Sequence, residues 1–141
     1  MTGKNSIFAS GAAPPVGSYP HARMAGDFLF LSGIGPRPAD GGPVPGTTYR
    51  EDGSVLDYDI AMQCHAVFGN VRAVLDSTGA TLADLVDVTV FLTNIERDFA
   101  AFNRVYSEYF PDEGPCRTTV EVNRLPTPIA IELKCIAFMT P

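Results

Sequence analysis

The sequence has no tryptophan, only three cysteines and two histidines, and fewer basic than acidic residues: ten Lys and Arg against sixteen Asp and Glu. Each scarcity excludes something. Cys64, Cys116 and Cys135 form no CxxC pair, and their odd number and wide spacing fit reduced thiols in a cytoplasmic protein. The two histidines are also far apart, so neither a zinc site nor a catalytic triad has local support. Neither a metal nor an organic cofactor is expected. The net charge of −6 repels phosphate backbones, and the scattered basic residues form no block, so nucleic acid is not an expected partner. No apolar run approaches the length of a membrane span, and the opening MTGKNSIFASG lacks an apolar signal-peptide core. Neither a membrane partner nor secretion is expected.

The 141 residues fit one domain, 1–141, and an apolar share of 45% with nine Phe and five Tyr provides for a packed interior. Asp27 to Ile34 reads as a short strand, with an earlier strand from Tyr19 to Ala25 turning at Gly26-Asp27. From about Gly35 to Val55 runs a Gly- and Pro-dense loop that holds Arg37 and Arg50. A loop of this length in a small domain is either functional or disordered. Asp57 is read as the N-cap of a helix whose stripe is Ile60, Cys64, Val67, Val71 and Val74, stopped at Gly79. Leu85 to Leu92 is a β-branched strand. Asp98 to Phe110 is a second helix with Phe99, Phe102, Tyr106 and Tyr109 near one face, closed by Pro111. Strands near Arg117–Arg124 and Ile129–Phe138 complete the chain, joined by the rigid turn Leu125-Pro-Thr-Pro128. Two helices cannot cover both faces of such a sheet, so one face is left bare for other subunits.

Several residues stand out on chemistry alone. Arg117 offers a planar fork for a carboxylate, or else a strand-end ion pair. Thr119 shares its strand face. Glu132 and Lys134 share a face of the last strand by the same alternation. His21 lies two residues after Tyr19 and is either a proton relay or a structural histidine. Ser32-Gly33 ends a strand where glycine lets a ligand approach the backbone, or simply turns the chain. Cys64 and Cys135 read as core, and Cys116 only flanks Arg117.

The segment Gly114-Pro-Cys-Arg-Thr-Thr-Val-Glu-Val-Asn-Arg-Leu-Pro126 resembles the signature of the Rid/YjgF family, Pro-x-Arg-(Ser/Thr)-x-Val-x-Val. Ile131 to Ala137 resembles its closing strand, Phe30-Leu-Ser-Gly33 the strand before the active-site loop, and Ala80–Leu92 with Phe99–Asn103 its central strand and second helix. The resemblance implies a chorismate-mutase-like α/β (α+β) fold: a single sheet with two helices on one face, oligomeric through the other. It implies homotrimers, or multiples of them, with clefts between neighbours. It implies cofactor-free hydrolysis of 2-imino acids or their enamine tautomers to 2-keto acids and ammonia. By position, Arg117 would hold the substrate carboxylate and Thr119, Asn103 and Tyr19 would line the cleft. Ser32, Gly33 and His21 would join them in substrate binding. Lys134, in a slot where many relatives carry a water-positioning Glu, and Glu132 beside it would join Arg117 and Tyr19 as the catalytic residues. The loop and Gly17-Ser-Tyr-Pro-His-Ala22 resemble the 2-aminomuconate deaminase branch, of bacterial aromatic-compound degradation, and a second cation at Lys134 would suit that dicarboxylate. The alternatives are a broad imine deaminase clearing reactive metabolites and a non-enzymatic module binding small acids.

Overall fold

The computed structural model describes residues 5–139. Its strands are β1 (Ser6–Ile7), β2 (Ala22–Ala25), β3 (Phe28–Leu31), β4 (Thr47–Tyr49), β5 (Val55–Tyr58), β6 (Leu85–Leu92), β7 (Cys116–Glu121) and β8 (Ile131–Phe138). The helices are α1 (Ile60–Asp76) and α2 (Ile95–Tyr109). Six strands form one sheet in the order β1-β2-β3-β8-β6-β7, and β4-β5 form a separate hairpin. Only β6 and β7 run parallel, because α2 carries the chain back between them, and the other pairs are antiparallel.

Alternation sorts each strand onto two faces. Leu29, Leu31, Val88, Val90, Leu92, Ile131, Leu133, Cys135 and Ala137 are buried in a common core with Cys64, Val67, Phe68, Val71 and Phe102 of the helices. The opposite face holds Phe28, Phe30 and Phe138, each about two-fifths exposed (43%, 40% and 39%). Phe28 and Phe138 meet edge to face, with ring centroids 5.2 Å apart. The α+β architecture therefore matches the expectation, with helices on one face and an apolar sheet surface on the other.

Some boundaries differ from the sequence reading. Asp57 does not cap α1. It lies in β5, where Arg97 Nη2 reaches its carboxylate at 2.9 Å, and Asp59 caps the helix by accepting from the Ala61 and Met62 N–H groups. The helix α2 begins at Ile95 rather than Asp98, because Asn94 accepts from Arg97 N at 3.0 Å. Asp98 is buried inside the helix and is satisfied by the Tyr58 hydroxyl at 2.6 Å. The 35–55 loop contains β4 and the start of β5, and its arginines bind main-chain carbonyls: Arg37 donates to Pro14 O of the N-terminal segment and Arg50 to Val55 O within the loop. Gly79 does take the left-handed conformation after α1, with φ +81°.

Candidate active site

Two groups of side chains are built on different parts of the sheet. The first lies at the β7 edge. Arg117 pairs with Val88, so it points to the helix-facing side, where the aromatic face of α2 meets it. Its guanidinium carbon sits 4.7 Å from the Tyr106 ring centroid, 5.3 Å from Phe102 and 5.8 Å from Phe99. Its Nη1 donates to Asn103 Oδ1 at 2.8 Å. Three rings and one amide thus fix a cation that long-chain entropy would otherwise leave mobile, and they leave N–H groups over for an incoming carboxylate. Thr119 lies on the same face. Its Oγ1 and the Tyr106 hydroxyl are buried with no hydrogen-bond partner among the described residues. Burial raises the Tyr106 phenol to about 12 and keeps it neutral.

The second group surrounds the end of β3. Here the β3–β8 ladder breaks: Phe30 pairs with Ile136, but the next bridge joins Ile34 to Leu133. One extra residue on the β3 side makes a bulge that turns Ser32-Gly33 out of the ladder. The Ser32 hydroxyl donates to Pro20 O at 2.7 Å and its N–H to His21 O at 2.9 Å. Gly33 lies against the side chain of Glu132, and a Cβ at this position would collide with that carboxylate. Burial raises the Glu132 carboxyl above its ordinary value. Tyr19, His21, Ser32, Gly33, Arg37 and Asn70 contribute to the wall of a cleft in front of this turn. Tyr19 stands at its rim, 39% exposed, with its hydroxyl accepting from Val16 N at 3.2 Å.

Two sequence expectations change. His21 is buried, its Nδ1 accepts from Ala9 N at 2.9 Å, and its Nε2 meets Ala13 O at 2.8 Å, which assigns the proton to Nε2. Both nitrogens are engaged, so the ring fastens the N-terminal segment and has none left for substrate or proton relay. Lys134 pairs with Thr89, which in turn pairs with Thr118, so it faces the side of the sheet opposite Arg117. Its ammonium donates to Leu31 O rather than to Glu132 or Glu121. Burial lowers its pKa. The Lys134 and Arg117 of one chain cannot hold the two ends of one dicarboxylate. With the Lys134 ammonium engaged at Leu31 O, Glu132 on the same face of β8 is the candidate for the water-positioning carboxylate.

The sequence reading also missed the aromatic platform under Arg117. The spacing of Phe99, Phe102 and Tyr106 on α2 was visible, but nothing in the sequence said that β7 lies beside that helix. Cys64 and Cys135 are buried, and burial raises both thiols to about 12, so they belong to the core. Among the described residues, no cluster of three or more His, Cys, Asp or Glu side chains is arranged to hold a metal ion, and no helix is long and apolar enough to cross a membrane.

The two groups do not meet within one chain. Gly33 and Arg117 are separated by the width of β8 and β6, roughly 14 Å at ordinary strand spacing. Glu132 and Arg117 also point to opposite faces. Comparison with known proteins gives this divided arrangement a family. The family model described as Endoribonuclease L-PSP matches residues 10–139. A RutC family protein of Pyrococcus abyssi is 40% identical over 135 residues, covering 96% of this chain and 97% of its own. The chloroplastic Reactive Intermediate Deaminase A of Arabidopsis thaliana is 31% identical over 95% of this chain and 66% of its own. The crystal structure of E. coli TdcF with bound serine superposes with a TM-score of 0.82 at 28% identity, covering 96% of this chain and 98% of that one. The chain belongs to the Rid/YjgF/L-PSP family.

Proposed function

We propose that the protein is a cofactor-independent deaminase of small 2-imino acids and their enamine tautomers, releasing the 2-keto acid and ammonia. The observation that carries this reading is the Arg117 guanidinium, held between Asn103 and three aromatic rings with N–H groups still available. Such a fork suits the carboxylate beside an imine carbon. The relative named as a deaminase and the relative with bound serine, a small amino acid, support the same substrate class.

The chemistry needs positioning and proton transfer, not a strong nucleophile. Arg117 binds the carboxylate and increases the electrophilicity of the neighbouring C=N carbon. Glu132 orients a water and accepts one of its protons as the new C–O bond forms, while the imine nitrogen takes up a proton from solvent. The carbinolamine then collapses: Glu132 returns its proton to the amine nitrogen, the C–N bond breaks, ammonia departs, and the carbonyl forms as the hydroxyl proton is released to solvent. The raised Glu132 pKa suits a group that must both take up and return a proton. Because Arg117 and Glu132 of one chain are separated, each working site takes Arg117, Asn103 and Thr119 from one chain and Tyr19, Ser32, Gly33 and Glu132 from its neighbour. The apolar face around Phe28, Phe30 and Phe138 is the surface that brings the copies together, in an assembly built on trimers.

The narrower reading, a 2-aminomuconate deaminase, rests on the resemblance of the loop and of Gly17-Ser-Tyr-Pro-His-Ala22 to that branch, with Lys134 or a loop arginine as second carboxylate partner; the engagement of the Lys134 ammonium with Leu31 O, and of Arg37 and Arg50 with main-chain carbonyls, weakens the second ground. The nuclease sense of the family model's description has little support from a chain of net charge −6. Imines generated in situ from several amino acids by an amino-acid oxidase test the proposal, with 2-aminomuconate assayed in parallel. Faster keto-acid release from several monocarboxylic imines is expected. No acceleration of any imine sinks the reading, and acceleration of 2-aminomuconate alone restores the narrower one.

A further inference from the structure

We propose that Lys134 is a positioning residue that sets the shape of the β3 bulge, holding Ser32-Gly33 against Glu132 through the main chain rather than by touching substrate. The inference rests on the imine-deaminase reading for its kinetic consequence, but its structural content stands apart from it.

Phe28, Leu29 and Phe30 pair in register with Phe138, Ala137 and Ile136. At Ile34 the register has slipped by one residue, since its partner is Leu133. Leu31, Ser32 and Gly33 therefore face only Cys135 and Lys134. A bulge leaves backbone groups without their ladder partners, and a carbonyl in that state must find another donor or remain unsatisfied. The Leu31 carbonyl sits where the regular pairing ends, and it accepts from Lys134 Nζ. The lysine thus fastens the bulge from the partner strand, two residues after Glu132 and on the same face.

The surroundings explain why a lysine serves here. Its ammonium lies over the Phe30 ring, with Nζ 5.9 Å from the ring centroid. The half-buried ammonium pairs with neither Glu132 nor Glu121: the Glu121 Oε1 accepts from Ile95 N. A cation taken partly out of water, as its lowered pKa reflects, holds tightly to the carbonyl acceptor it meets among the described residues. Gly33 packs against the Glu132 carboxylate, and a Cβ there would push that side chain aside, so a small shift of the bulge changes where the carboxylate points. Displacements of about 1 Å at a reacting group cost up to about a hundredfold in rate.

The test uses Lys134→Met, which keeps the stem and removes the donor, and Lys134→Arg, which keeps a charged donor. Two readouts are taken on the assembled protein. Amide hydrogen exchange at Ser32, Gly33 and Ile34 is expected to accelerate in the methionine variant and return toward wild type in the arginine variant. With a monocarboxylic imine as substrate, the methionine variant is expected to lose about ten- to a hundredfold in kcat with little change in KM, since Arg117 still binds the carboxylate. Wild-type exchange in Lys134→Met overturns the inference, whatever the activity. Faster exchange with unchanged kcat also overturns it. Exchange that changes as expected in a protein without imine-hydrolysing activity leaves the bulge role standing and removes the deaminase reading instead. Should the methionine variant fail to fold, Lys134→Gln, with a shorter reach, is expected to show part of both effects, and wild-type behaviour in it overturns the inference.

Discussion

Nη1 of Arg117 donates to Oδ1 of Asn103 at 2.8 Å, tying the edge strand β7 to the middle of α2. This bond orients the guanidinium plane over the aromatic rings and leaves the rest of the fork for substrate. Replacing Arg117 with Ala removes charge-assisted hydrogen bonds worth roughly 1.5–3 kcal/mol each. It should lower kcat/KM by at least about tenfold. Asn103→Ala should raise KM by a smaller factor, because the cation remains but its orientation is lost. Steady-state kinetics on both variants checks the order: an Asn103→Ala effect equal to or larger than that of Arg117→Ala contradicts it.

Glu132 links activity to stability. Burial raises its pKa in the folded chain. Below its unfolded value the group is neutral in both states and imposes no cost on the fold. As pH rises through the folded value, ionisation in the half-buried site removes that advantage. Glu132→Gln should therefore raise the melting temperature at about pH 8 and leave it nearly unchanged at about pH 4. The same variant should lose about a hundredfold in kcat, as befits a group that moves a proton. Thermal unfolding at the two pH values, with kinetics on the same samples, reads both effects. A variant less stable at the higher pH contradicts the assignment.

The apolar sheet face gives a separate expectation. Phe30 is 40% exposed, near Phe28 and beside Lys134. Phe30→Asp would place a charge in a surface meant to be covered, and the protein should dissociate at micromolar concentration and lose activity with its assembly. Light scattering that shows wild type and variant with the same mass contradicts the role of this face.

The strand β6 was fully legible in the sequence, since a run of β-branched residues from Leu85 to Leu92 has few other uses. The N-cap of α1 was misplaced by two residues because the carboxylate of Asp57 is claimed by Arg97, forty positions away. The β4-β5 hairpin was hidden because strands of three and four residues carry too little alternation to register. Alternation placed Glu132 and Lys134 together, and Arg117 and Thr119 together. It did not show that the two pairs face opposite sides of one sheet, because that depends on strand order, and strand order is set by long-range pairing. The structural reading of His21 was legible, but its partners, Ala9 and Ala13, were not, because they are brought to it by the chain's path.

The central claim is that Arg117 of one chain and Glu132 of another complete each site. Co-assembly of two inactive variants tests it most directly. Arg117→Ala retains Glu132, and Glu132→Gln retains Arg117, so each alone should be nearly inactive on 2-imino acids. Mixed during assembly in equal amounts, they should regenerate intact sites wherever a Glu132→Gln chain offers its arginine to an Arg117→Ala neighbour. Random association in a closed ring makes that about one site in four, so activity should recover to roughly a quarter of wild type. Mixed assemblies that form, as mass measurement would show, but remain as inactive as the separate variants would contradict the account.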